Sequence, residues 1–216
     1  AKNGKTGWYK IKNGFNDTSM VHCSRNSTLR YNYIYGHSNA IPYGSDYNNI
    51  DIHNNYITLT GDDCIEPDSA FINGRVYDNF MHDFFCGFSD APVSVGPVFV
   101  VRNIFSQFHN MPIKVRNGAN GAALYYHNVC YPTTNNMHAF SSHDGKYCYA
   151  PDGDGVRWMK TRNNIFIADA DPYYVSKRRL GMRYNTLDFD YNCLVKINGD
   201  KPSPIRVDGE KHSIFT

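Results

Sequence analysis

The chain has no apolar run approaching the roughly 18 residues that a membrane-spanning helix requires. It also has no strong charge of either sign. Its formal net charge is +2 and its basic residues are scattered, which excludes the concentrated basic face of a nucleic-acid binder. Lysine and glutamate are sparse, and little of the chain carries the 3.6-residue period of an amphipathic helix. Six cysteines form an even set compatible with disulfides, too thin for a disulfide scaffold and without pairs at metal-ligand spacing. His109 and His127 are too scattered for a zinc site, and Asp152-Gly153-Asp154-Gly155 lacks the remaining ligands of a calcium loop. A Gly-x-Ser-x-Gly elbow and a phosphate-binding glycine loop are both missing. So are an initiator methionine and a signal peptide. The sequence starts at Ala1, which reads as a processed or trimmed form, or as part of a longer protein.

What is abundant is asparagine, with 24 copies beside 17 tyrosines and 17 glycines in 216 residues. Asparagine tolerates the left-handed backbone and hydrogen-bonds its own turn, so this composition points to turns and β-structure. Two glycosylation sequons, Asn16-Asp17-Thr18 and Asn26-Ser27-Thr28, fit a secreted, extracellular or periplasmic protein whose source glycosylates.

The asparagines are not scattered. Six segments end a short apolar run with Asn followed by a hydrophobic residue, at Asn32, Asn55, Asn79, Asn103, Asn128 and Asn164, and Asn192 marks a weaker seventh. Their spacings are 23, 24, 24, 25, 36 and 28 residues. Each of the first five intervals holds a second short apolar segment about ten residues on, with no room for an ordinary helix. Such a period predicts an all-β fold, a right-handed parallel β-helix of about 22–25-residue coils, in which coils bury their apolar side chains by stacking. The repeated Asn then occupies the same turn in every coil and stacks as a side-chain ladder. A β-sandwich would put Asn-Gly turns between paired strands, but Asn13, Asn73, Asn117 and Asn198 fall out of phase with them. The expected organisation is a β-helix over 1–197 with a long loop insertion at about 129–158, and a tail over 198–216 packing on it. Cys130 and Cys148, near the two ends of that insertion, are either bridged, closing a loop for a gain of roughly 3 kcal/mol, or two unrelated thiols.

Aligning the second segments on Ile41, Ile65, Phe88, Ile113 and Phe140 places these inside the stack, one above another. Side chains alternate along a strand, so their neighbours are expected to face solvent. The outward rows then read Ala40 and Pro42; Asp62, Cys64, Glu66 and Asp68; Gly87, Ser89 and Ala91; Pro112, Lys114 and Arg116; Ala139, Ser141 and His143. An acidic row, a row of small residues and a basic row describe a shallow groove for a sugar chain. In Gly61-Asp62-Asp63-Cys64-Ile65-Glu66-Pro67-Asp68 four carboxylates crowd together, and mutual repulsion raises at least one pKa. Glu66 and Asp68 stand about 7 Å apart along a strand, within the roughly 6.5–9.5 Å of an inverting glycosidase pair. Alternatively, Asp62, Asp63, Glu66 and Asp68 hold Ca²⁺, the one cofactor the sequence suggests, or cap the turn beside the strand. Lys114 and Arg116 fit a lyase, in which a cation neutralises a uronate carboxylate and a Lys, His or Tyr removes the neighbouring proton. They equally fit an inter-coil salt bridge with Asp90. His143 is a further candidate base or proton shuttle.

The residues from about 26 to 195 resemble the secreted right-handed β-helix repeat proteins of the pectate-lyase-like superfamily. The likeness is carried by Gly61-Asp62-Asp63-Cys64-Ile65-Glu66-Pro67-Asp68, by Gly96-Pro97-Val98-Phe99-Val100-Val101-Arg102-Asn103 and by Leu187-Asp188-Phe189-Asp190-Tyr191-Asn192. The resemblance implies polysaccharide lyases, hydrolases and epimerases, together with non-catalytic members. Gly61-Asp62-Asp63-Cys64-Ile65 looks like the polygalacturonase motif whose two aspartates take part in inverting hydrolysis. Where that family has Gly-His-Gly and Arg-Ile-Lys, this chain reads Phe85-Cys86-Gly87 and Pro112-Ile113-Lys114. Where it has Asn-Thr-Asp, the chain has Ser38-Asn39 without the acid.

The expected function is cleavage of an acidic polysaccharide, by a uronate lyase or an inverting hydrolase. Asp62, Asp63, Glu66, Lys114, Arg116 and His143 are its candidate catalytic residues, while Asp68, Ser89, Asp90 and Tyr43 are its candidate sugar contacts. The alternative is a non-catalytic carbohydrate-binding or adhesive β-helix, stacking sugars on Tyr43, Tyr125 and Tyr126. The expected partner is a polysaccharide, with neither nucleic acid nor membrane.

Overall fold

The computed structural model describes residues 19–42, 47–67, 71–90, 95–116, 121–132, 149–152, 158–168, 187–197 and 212–216. These residues form strands and no helix, and every strand pairing among them is parallel. The first sheet stacks Thr28–Arg30, Asp51–His53, Gly74–Tyr77, Val98–Val101, Ala123–Tyr126, Met159–Arg162 and Leu187–Asp190, each following its predecessor in order. The second stacks Tyr33–Tyr35, Tyr56–Ile65, Phe80–Asp90, Ile104–Arg116, Val129–Pro132, Ile165–Ala168, Cys193–Lys196 and Ile214–Phe215. A chain that adds one strand to each sheet per repeat, always parallel, is a β-helix.

The asparagine ladder holds one of its corners. Nδ2 of Asn32 donates to Oδ1 of Asn55 at 2.9 Å, and the same contact recurs through Asn79, Asn103, Asn128 and Asn164 to Asn192 at 2.9–3.2 Å. Each acceptor oxygen also takes the backbone N–H of the asparagine donating to it. From Asn55 onward, Nδ2 donates as well to a backbone carbonyl of the preceding coil, so one side chain ties three coils. The ladder passes the 36-residue interval unbroken, from Asn128 to Asn164.

The residue before every ladder asparagine has a left-handed backbone: Tyr31, Asn54, Asp78, Arg102, His127, Asn163 and Tyr191, with φ between 53° and 58°. That conformation costs an ordinary side chain about 1–2 kcal/mol, so the ladder contacts must outweigh it in each coil. Gly36, Leu59, Asp83 and Gln107 form a second left-handed series, and Asn26, Asn49 and Asn73 a third with its own short amide ladder. Three corners per coil enclose the core, where Ile34, Ile57, Phe84, Phe105, Phe108, Tyr125 and Phe166 are fully buried.

The second segments stack as expected at the first four positions, with Ile41 opposite Ile65, Ile65 opposite Phe88 and Phe88 opposite Ile113. The next coil differs. Tyr149, not Phe140, lies opposite Ile113, so the insertion ends in a strand, Tyr149–Asp152, that rejoins the stack. Phe140, His143 and Cys148, and with Cys148 the question of a bridge to Cys130, lie outside the described residues. At the far end Ile214–Phe215 adds a last strand beyond Cys193–Lys196, and Oγ of Ser213 accepts the Asn192 N–H that would otherwise end the ladder unpaired.

Candidate functional site

Alternation misplaces one step of the long strands. Between Thr60 and Asp63, and again between Phe108 and Met111, the register shifts just after a left-handed residue. Cys64 therefore lies in the main core together with Ile65 instead of facing out. Gly87 follows suit: a Cβ there would meet the Pro112 carbonyl oxygen at 2.4 Å and the core ring of Phe105 at 2.6 Å. The residues delivered to the other side of the sheet are Asp63, Cys86 and Met111, register partners outside the main core.

Lys114 joins this row from two strands away. Its Nζ lies 2.5 Å from Oδ2 of Asp63, an ion pair between groups 51 residues apart in sequence. The side chain must cross the intervening strand at Ser89, its register partner. That corrects the expectation of an open row: Ser89 is 0 % exposed and Lys114 only 8 %. Asp62 and Asp63 are buried with them, and Glu66 at the edge is half-buried. Asn39 fastens the edge. Its Oδ1 accepts the Asp63 backbone N–H at 3.1 Å, while its Nδ2 donates to Glu66 Oε2 at 2.7 Å.

Burial works to lower the pKa of Lys114, but its neighbours Asp63, Cys86 and Asp62 together more than offset it, and the ammonium is held above its ordinary range. Lys114 is thus a fixed cation, unsuited to removing a proton. Burial, then the neighbouring charge of Asp63, pushes the Cys86 thiol well up, which rules out a thiolate nucleophile. Asn110 donates to the Cys86 sulfur at 3.1 Å. Three buried oxygens here have no hydrogen-bond partner among the described residues: Asp63 Oδ1, Ser89 Oγ and Asn110 Oδ1. Asn48 Oδ1 and Thr161 Oγ1 are the other buried side-chain oxygens without a partner among the described residues, so three of the five fall in this cluster.

The structure does not bring every sequence candidate here. Asp90 lies on the core side, where the Tyr125 hydroxyl donates to its Oδ2 at 3.0 Å, so neither a sugar contact nor a partner for Lys114 stands at that position. Tyr125 itself is a core residue at 0 % exposure, because alternation along Ala123–Tyr126 turns Leu124 and Tyr126 outward instead. Arg116 sits in register with Asp152, but its side chain, like all of Tyr43, Asp68 and His143, lies outside the described residues. Two of the four expected calcium ligands are engaged by nitrogen donors, Asp63 by Lys114 and Glu66 by Asn39. Among the described residues no group of three or more His, Cys, Asp or Glu side chains is arranged to hold a metal. Asn39 and Cys86 stand where the sequence places the polygalacturonase motifs without their acid and histidine, whereas Asn110 carries no such signal and emerges only from the structure.

Comparison with protein-family models, with curated proteins and with solved structures finds no match. The β-helix rests on the repeat and the strand register.

Proposed function

We propose that this β-helix cleaves an acidic polysaccharide by hydrolysis, at the outward cluster around Asp63 and Lys114. The observation that carries the proposal is the trio of unpartnered buried oxygens beside a fixed ammonium. All three are closed to solvent, so hydroxyl groups of a sugar ring satisfy them only if binding opens the cluster. Inverting hydrolysis needs one carboxyl group to protonate the leaving oxygen and another to activate water. Asp63, ion-paired with Lys114, takes the part of the base, and adjacent Asp62 that of the acid. Lys114 supplies positive charge for a uronate unit. Hydrolysis is preferred over elimination because Lys114 is pinned in its protonated form, while His82 and His109 are engaged by Ser106 and Asp83. A location outside the cytoplasm belongs to the same proposal, since such polymers lie there.

The non-catalytic alternative has one observation in its favour. Tyr33, Tyr35, Ile104, Ile165 and Ile214 lie exposed along the second sheet. Yet the Tyr33 and Tyr56 rings stack on each other, with centroids 5.3 Å apart, and so present edges rather than faces to a sugar.

A panel of uronate-containing and neutral polysaccharides, with and without Ca²⁺, separates these readings. New reducing ends without ultraviolet absorbance from a ring double bond are the expected result on a uronate polymer. New ends with that absorbance would replace hydrolysis by elimination, and no new ends on any polymer would leave only the binder.

A further inference from the structure

The first sheet carries a second polar concavity, remote in sequence from Asp63. It has a volume of about 340 Å³ and is lined by Tyr126, His127, Lys160, Arg162, Asn163 and Asp188. That is at the small end of the roughly 300–1,000 Å³ typical of ligand sites. On the same face Arg75 forks onto both oxygens of Asp51, and Arg102 onto both oxygens of Asp78. Here the pattern breaks. Both donating nitrogens of Arg162 go to Oδ1 of Asp188, at 2.8 and 2.9 Å, leaving Oδ2 without a partner among the described residues. Lys160, two residues before Arg162 and in register with Leu124 and Asp188, is exposed and has no ion-pair partner among the described residues. The His127 ring is likewise uncommitted there, because this residue bonds only through its backbone N–H to the Arg162 carbonyl. Burial, and then the charge of Asp188, pushes the Tyr126 hydroxyl up, so it remains a donor beside its ring.

We propose that this concavity binds a single uronate unit of the polymer, its carboxylate on Lys160, its ring against Tyr126 and a hydroxyl on Asp188 Oδ2. The choice of ligand class rests on the polysaccharide reading above; the site does not, since it shares no residue with the Asp63 cluster. It gives the protein a second hold on the substrate, away from the bond being cut.

The test is calorimetric titration with digalacturonate, and with galactobiose as its neutral counterpart, against wild type, Lys160→Ala, Lys160→Arg and Arg102→Ala, which lies outside both sites. Wild type and Arg102→Ala are expected to bind digalacturonate alike. Lys160→Ala should weaken it at least tenfold, Lys160→Arg should largely restore it, and galactobiose should bind at least tenfold more weakly. Equal binding of the acidic and neutral disaccharides, or undiminished binding by Lys160→Ala, would overturn the site. Binding lost in Arg102→Ala but kept in Lys160→Ala would overturn it too, while leaving cleavage at the Asp63 cluster intact. Binding through Lys160 without cleavage of any polymer would support this site and remove the hydrolase.

Discussion

Replacing Asn103 by alanine is expected to destabilise the protein by about 2–6 kcal/mol, the sum of two stranded buried groups at roughly 1–3 kcal/mol each. Asn103 is 0 % exposed and sits mid-ladder. Its Oδ1 accepts both the backbone N–H and Nδ2 of Asn79, and its Nδ2 reaches the Val76 carbonyl and Asn128 Oδ1. Alanine leaves the Asn79 N–H unpaired and takes a donor from Val76. For a chain of this size the melting temperature should fall by roughly 2–4 °C per kcal/mol. Asn32→Ala is the control. Asn32 ends the ladder among the described residues, half-buried, and no asparagine among them donates to its oxygen, so its loss should cost no more than about 1 kcal/mol. Asn103→Asp adds a pH signature. The second carboxylate oxygen would face the carbonyls of Val76 and Val101 and the oxygen of Asn128, raising the folded pKa above the unfolded value near 3.9. The variant should therefore be most stable below that value and lose stability as pH rises through the folded pKa. Denaturation scans across pH measure both effects.

Lys114→Met should destabilise by about 3–5 kcal/mol, because it leaves the fully buried Asp63 carboxylate unpaired. Adding Asp63→Leu should recover most of that loss, since a well-packed apolar pair often equals a buried ion pair. Recovery of stability must not recover cleavage; if the double variant folds well and still cuts the polymer, the catalytic assignment is wrong. In the wild type the Lys114 pKa is raised on folding, so its contribution is complete below the unfolded value near 10.4 and disappears only as pH climbs through the folded one. Chemical denaturation at neutral and alkaline pH reads this directly.

Period made most of the fold legible. Seven asparagines at a near-constant spacing set the coil length, and Ile41, Ile65, Phe88 and Ile113 fixed the phase, because parallel in-register stacking repeats in space what recurs in sequence. Parity was legible only within straight strands. A left-handed residue and a register shift reverse it locally, which is why Cys64 and Gly87 turn inward and Asp63 takes the outward place. Loop length hides register altogether, so Phe140 stood in for Tyr149. The Lys114–Asp63 pair was illegible for another reason: a lysine stem spans two strands, and alternation constrains only where a side chain starts.

One measurement bears most directly on the claim that the Asp63 cluster is a working site: stability and cleavage rate of Ser89→Ala, determined side by side. Ser89 Oγ is buried without a partner, so a purely structural cluster gains nothing by keeping it. Alanine is expected to leave stability unchanged or raise it by about 1 kcal/mol, while cleavage of the uronate polymer falls at least tenfold. Wild-type cleavage by Ser89→Ala, or a loss of stability on removing the hydroxyl, would contradict the assignment.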